Sequence, residues 1–190
     1  MYFVSFLKKV NKIDWCHSIY FNFNSLPLCQ AIKLPILLYG HSTINVRNGK
    51  VRINIERNKL RFGIIKLGIR HEISCISNIG VQIENYGTII FNGSMLIGNG
   101  SVISVKKGAT LEFGRNIGIT GDFKIHCHDR IKLGNLLSCA WNVTICDTDF
   151  HTILDARTKQ ILPRTAPVVI GDNVWICQNV TILKGVKIAN

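Results

Sequence analysis

The chain has 190 residues, 47% of them hydrophobic, with a formal charge of +12 and a pI near 9.6. That is enough apolar material for the core of one domain, and the charge favours an anionic partner such as an acidic glycan, a phosphorylated cofactor or a membrane surface. The basic residues form no long run, which speaks against nucleic acid, and seven cysteines without a CxxC pair fit a reducing compartment better than a disulfide framework or zinc ribbon.

The first segment, "MYFVSFLKKVNKIDW", puts its short apolar run ahead of the lysines, the reverse of a secretory signal. The apolar stretch in "LPILLYG" falls far short of the ~20 residues that cross a bilayer. The expectation is therefore a cytoplasmic protein without a transmembrane segment, its basic surface open to peripheral membrane association. Residues 1–43 carry no repeat; they are aromatic-rich and contain Pro27 and Pro35. We read them as a cap or an oligomer contact, because the open end of a repeat stack exposes strand edges that must be covered.

A six-residue period begins near Ile44, strengthens from Ile73, and is clearest at the end: "IGDNVW", "ICQNVT", "ILKGVK", "IAN". Isoleucine holds the first position (Ile170, Ile176, Ile182, Ile188) and valine the fifth (Val174, Val180, Val186). A helix turning ~100° per residue smears such a set over its whole surface. An extended chain keeps it on one side, because six is even, and the Gly, Asn, Asp and Lys pairs between the aliphatics supply bends. The expectation is an all-β solenoid over 44–190, bent every six residues and buried coil against coil. Upstream blocks start at Ile83, Ile89 and Ile97, at Phe113, Ile119 and Ile125, and at Leu133, Cys139 and Ile145; neighbouring blocks are offset by two residues.

"IHCHDR" puts His126 and His128 on one face of a strand and Cys127 on the other. That spacing invites a metal, but we read the pair as exposed or interface histidines. In "ICDTDFH", Asp147, Asp149 and His151 alternate, and His151 occupies the position where the next isoleucine belongs. Imidazole titrates near neutrality and suits a general base; Asp149 or a backbone carbonyl is available to fix its tautomer. The two aspartates read equally well as solvated residues at a strand end, and the spacing of all three also permits a metal. The reading adopted has no metal, and takes Cys146 and Cys177 as packing residues. A loop at about 152–169, with Pro163 and Pro167, is too long for a solenoid corner, and long excursions from rigid scaffolds carry function. Trp175 falls in the sixth position, at an expected corner, where a large aromatic has no core duty. Lys184 and Lys187 are candidates for phosphate contact or simple solvation.

"PVVIGDNVWICQNVTILKGVKIAN" and "WNVTICDTDFH" resemble the closing repeats and the histidine segment of the hexapeptide-repeat acyltransferases, and "LPLCQAIKLPILLYG" resembles a subgroup tied to capsule and surface-polysaccharide synthesis. The resemblance implies a left-handed parallel β-helix and a homotrimer with sites between subunits. It implies an acetyl-CoA-dependent O-acetyltransferase acting on a hydroxyl of a sugar or polysaccharide precursor, with acetyl-CoA as co-substrate and His151 as base. Trp175 and Gln178 then line the cofactor groove. It leaves two alternatives open: an N-acetyltransferase on an amino-sugar, and a truncated solenoid that has lost catalysis. The chain departs from relatives at Cys177 and Ala189, where they carry glycine, and at Asn190, where they continue for further coils.

Overall fold

A computed structural model of the chain describes residues 12–71 and 76–190. Ile73, Cys75 and the opening segment to residue 11 lie outside the described residues.

Among the described residues, eighteen short strands form three parallel sheets of six. The first face stacks β1 (Ile36–Leu38), β4 (Ile65–Ile69), β7 (Met95–Gly98), β10 (Ile117–Ile119), β13 (Ser138–Cys139) and β16 (Trp175–Ile176). The second stacks β2 (Thr43–Val46), β5 (Gln82–Asn85), β8 (Val102–Val105), β11 (Lys124–Cys127), β14 (Thr144–Cys146) and β17 (Thr181–Ile182). The third stacks β3 (Lys50–Ile53), β6 (Thr88–Phe91), β9 (Thr110–Phe113), β12 (Arg130–Leu133), β15 (Val168–Ile170) and β18 (Lys187–Ile188). The chain visits the faces in strict rotation, so each run of three strands is one coil of a three-sided prism. This is the parallel β-helix expected from the repeats, with an N-terminal extension.

The registers show why the period must hold. On the second face Ile44, Ile83, Ile103, Ile125, Ile145 and Ile182 pair in one unbroken ladder down the prism. Each buried aliphatic removed from water contributes roughly 1.5–3 kcal/mol. A slip of one residue would turn every one of them outward. The offsets of two between repeat blocks have a structural cause. Strands of the second face carry one further inward residue at their ends: Asn85, Val105 and Cys127 pair along the ladder and are fully buried, and Asp147 is equally buried just beyond β14.

Corners fall between the first and fifth hexad positions. Asn173, Asn179 and Gly185 take positive φ of 59°, 60° and 77° there, the left-handed conformation that asparagine and glycine tolerate best. Trp175 therefore lies on the first face, paired with Ser138, and not at a corner. At one corner glycine is obligatory for a different reason. A Cβ on Gly114 would stand 2.4 Å from the Gly134 carbonyl oxygen, and one on Gly134 would stand 2.2 Å from that of Gly171. Ala189 is the next residue of this stack, its neighbour Ile188 pairing with Ile170. Asx side chains tie the same corner together: Arg115 N–H donates to Asn135 Oδ1 at 2.9 Å, Asn135 N–H to Asp172 Oδ1 at 2.7 Å, and Asp172 N–H to Asn190 Oδ1 at 2.7 Å.

The prism starts upstream of residue 44, because Ile36–Leu38 is already a strand of the first face. The "LPILLYG" run lacks the hexad turn residues, and a long connection over 54–64 separates it from the next strand on that face, so no period marks it. Its free edge is covered by α1 (Trp15–Ser25), followed by α2 (Leu28–Ala31). The fully buried Asn22 donates to the Ile36 carbonyl at 2.6 Å and accepts the Ile36 N–H at 3.2 Å, while Ser18 Oγ accepts the Leu38 N–H at 2.9 Å. Two helix side chains thus satisfy the backbone groups that an edge strand leaves open. No helix among the described residues is long and apolar enough to cross a membrane.

Candidate active site

Between β14 and β15 the chain leaves the prism at the corner where the second and third faces meet. The excursion, residues 147–167, is an antiparallel arm with bridges Thr148–Thr165 and Leu154–Ile161. It begins earlier and ends earlier than the 152–169 span, since Val168 and Val169 already belong to β15. Its tip is an Asx turn in which Asp155 Oδ1 accepts the N–H groups of Arg157 and Thr158 at 2.8 and 2.7 Å.

The three polar residues at the foot of the arm have separate surroundings. Asp147 is fully buried, and its carboxylate accepts the N–H groups of His128 and Asp129 at 2.7 and 2.8 Å, tying the fifth coil to the fourth. Asp149 forms an ion pair with Lys184 of the sixth coil, Nζ to Oδ2 2.5 Å, a close contact rather than an aligned hydrogen bond. The Lys184 ammonium also donates to the Pro163 carbonyl on the returning limb, so it anchors the arm at both sides. His151 is exposed, six residues on from the inward Ile145. Among the described residues no hydrogen bond joins Asp149 to His151, and no group of three His, Cys, Asp or Glu side chains converges as a metal site. Phe150, next to His151, holds a positive φ of 60° and its N–H donates to Thr148 Oγ1 at 3.1 Å. A bulky residue in that conformation is strained, and its surroundings must hold it there.

Trp175 stands outward on the first face and is 73% exposed. It lines a groove of about 390 Å³ with His71, Gly118, Ser138 and Ala140. Gly118 leaves room there, for a Cβ on it would meet nothing within 4 Å. Gln178 is exposed at the following corner. Of the cysteines read as packing residues, Cys146 is buried and burial raises its thiol, but Cys177 is exposed, because it follows the inward Ile176 and turns away from the core. Burial pushes the Cys139 thiol up to about 12, which leaves it unreactive.

The outer wall of the second face holds a groove that repeat-by-repeat reading missed. Asn45, Glu84, Ser104 and His126 sit at matching register positions one coil apart. Comparing the residue after each isoleucine across coils, instead of within them, would have brought the column out. Glu84 Oε2 accepts from Ser104 Oγ and Lys106 Nζ, each at 2.6 Å, and Lys106, by its hydrogen bond, and Ser104 hold its carboxyl below the usual range. Phe150 meets His126 and His128 edge-on, centroids 5.5 and 5.3 Å away. Burial keeps both imidazoles below the usual histidine range, and for His126 the charge of His128 adds to the effect.

Hexad repeats, three parallel faces and an arm bearing an exposed histidine together define a protein of the hexapeptide-repeat fold. Over 65 residues the chain is 34% identical to the polysialic acid O-acetyltransferase of Neisseria meningitidis; the match takes in 34% of this chain and 30% of that protein's length. No family model matches the chain. Two solved structures align with it: the polySia-specific acetyltransferase NeuO (23% identity, 78% of this chain and 65% of that one, TM-score 0.41) and the polysialic acid O-acetyltransferase OatWY (19% identity, 77% and 69%, TM-score 0.34). The fold class rests on the sheets and their registers, not on those two superpositions.

Proposed function

We propose that the protein is an acetyl-CoA-dependent O-acetyltransferase that acts on a hydroxyl of a sugar unit in a polysaccharide or its precursor. The 65-residue similarity to an enzyme of that name supports the reaction class. The observation that carries the site is His151: the residue due at an inward position is instead exposed at the foot of the arm. In the proposed step the imidazole takes the proton of the acceptor hydroxyl as its oxygen attacks the thioester carbon. A C–O bond forms and the tetrahedral intermediate collapses with loss of the C–S bond. The coenzyme A thiolate leaves and receives the proton from the imidazolium. Backbone N–H groups at a corner would stabilise the oxyanion.

Asp149 acts in this reading through Lys184, fixing the arm, and not as the partner of His151. Trp175 and Gln178 belong to the cofactor groove, with Gly118 giving it depth. The topology supports a second copy. His151 lies at the edge shared by the second and third faces, and Trp175 lies on the first face, across the prism from that edge. Because the two stand on opposite sides of the prism, we place the site between copies of a homotrimer, His151 from one and Trp175 from its neighbour. The arm suits such a contact, since Ile153, Leu154, Ile161 and Leu162 are all exposed along it.

Thiol release from acetyl-CoA, assayed with polysialic acid, with neutral polysaccharides and with matched amino-sugars, tests the reaction and separates hydroxyl from amine acceptors. His151→Ala should lose about 10²–10⁴ in kcat without altering the circular-dichroism β signal. Mixing and reassembling inactive His151→Ala and Trp175→Ala chains should restore about a quarter of the sites if each site draws on two copies. Near-full turnover by His151→Ala removes the assignment of the base; failure of the mixed chains to regain activity removes the shared site.

A further inference from the structure

The groove on the second face has no part in the chemistry above, yet it ends on Phe150, the residue bonded to His151. It encloses about 480 Å³ and is lined by Asn45, Glu84, Ser104, Lys106, His126, His128 and Phe150 among others. That volume is ordinary for a small-molecule site. Three features mark it as built. Its polar groups stand on successive rungs of a sheet, so their spacing is fixed by the ladder. Its aromatic wall, Phe150, keeps a positive φ of 60° and packs against the rings of His126 and His128. And His128 Nε2 is buried without a hydrogen-bond partner, although the Asp147 carboxylate pins the backbone of the same residue. A buried ring nitrogen left open costs stability unless a ligand or water satisfies it.

The formal charges inside the groove cancel. Lys106 is taken up by Glu84 at 2.6 Å, and burial holds both imidazoles below the usual histidine range. A phosphate or carboxylate would therefore find no free cation there and would meet Glu84. Among the described residues no metal-binding group converges. What matches hydrogen-bonding groups along one wall and an aromatic ring on the other is a ring bearing several hydroxyls. We infer that this groove binds an uncharged pyranose unit of the acceptor chain through hydroxyl hydrogen bonds to Glu84, Ser104 and His128. Phe150 borders the ring and leads the chain on toward His151. The inference deepens the proposed function and takes its direction, toward His151, from that reading.

Saturation-transfer NMR without acetyl-CoA tests it independently of catalysis. The probes are the methyl glycosides of glucose, galactose and N-acetylglucosamine, applied to the full chain. At least one should receive saturation from the wild type. Glu84→Ala and His128→Ala should each weaken that binding about tenfold, the effect of one lost hydrogen bond, with unchanged circular dichroism and sedimentation. The readout involves no turnover, so it stands whether or not His151 proves to be the base. Three results would overturn the inference: no neutral glycoside binds, binding ignores Glu84 and His128, or either substitution dissociates the oligomer. The last would make the groove a subunit contact.

Discussion

Asp147 is the residue whose role the structure changes most, and its substitution separates two explanations of "ICDTDFH". Its carboxylate is fully buried and receives two backbone N–H groups from the coil above, at 2.7 and 2.8 Å. Hydrogen bonds to a charged group contribute about 1.5–3 kcal/mol each. The lower end applies here, because the donors at His128 and Asp129 are only partly buried and water can reach them once the carboxylate is gone. Asp147→Ala should therefore cost about 3 kcal/mol. Asp147→Asn keeps one acceptor but turns an amide donor toward the second N–H, and should cost about half as much. In urea, with a slope near 2 kcal/mol per molar, the alanine variant should unfold about 1.5 M earlier. A loss below about 1 kcal/mol would refute the clamp. So would a large fall in kcat with stability intact, since Asp147 would then belong to the chemistry.

Gly134→Ala should destabilise by at least about 2 kcal/mol, because the new Cβ meets the Gly171 carbonyl oxygen at 2.2 Å and backbone cannot move aside; Gly118→Ala, with nothing within 4 Å, should leave the melting temperature unchanged or raised while weakening acetyl-CoA binding by calorimetry. Leu136 is exposed with a φ of 56°, so Leu136→Gly should raise stability by about 1 kcal/mol in the same urea assay. His126 and His128 are held below their ordinary pKa, so the unfolded chain binds more protons than the folded one in the window beneath about 6.5. Stability should be full above that value and decline as pH falls from it toward the depressed folded values. Melting temperatures at pH 7.5 and 5.5 should converge when both are replaced by asparagine.

The sequence alone was sufficient for the core of the regular coils, because there the prism is a local rule repeated. Every sixth residue must be inward, and Ile170, Ile176, Ile182 and Ile188 with their valines state that rule without reference to distant parts of the chain. It also marked His151, since a polar residue in an apolar series is visible wherever the series is regular. It did not mark Ile36–Leu38, where the period is broken by a long insertion and the edge is closed by side chains from α1. Nor did it distinguish Asp147 from Asp149: both alternate with His151, yet one is sealed beneath two N–H groups of a previous coil and the other faces Lys184 of the next. The column of Glu84, Ser104 and His126 and the separation of His151 from Trp175 belong to the same class of fact. Neighbours along the strand are written in the sequence; neighbours between coils are about twenty to forty residues apart, and only the stacking register decides which of them meet.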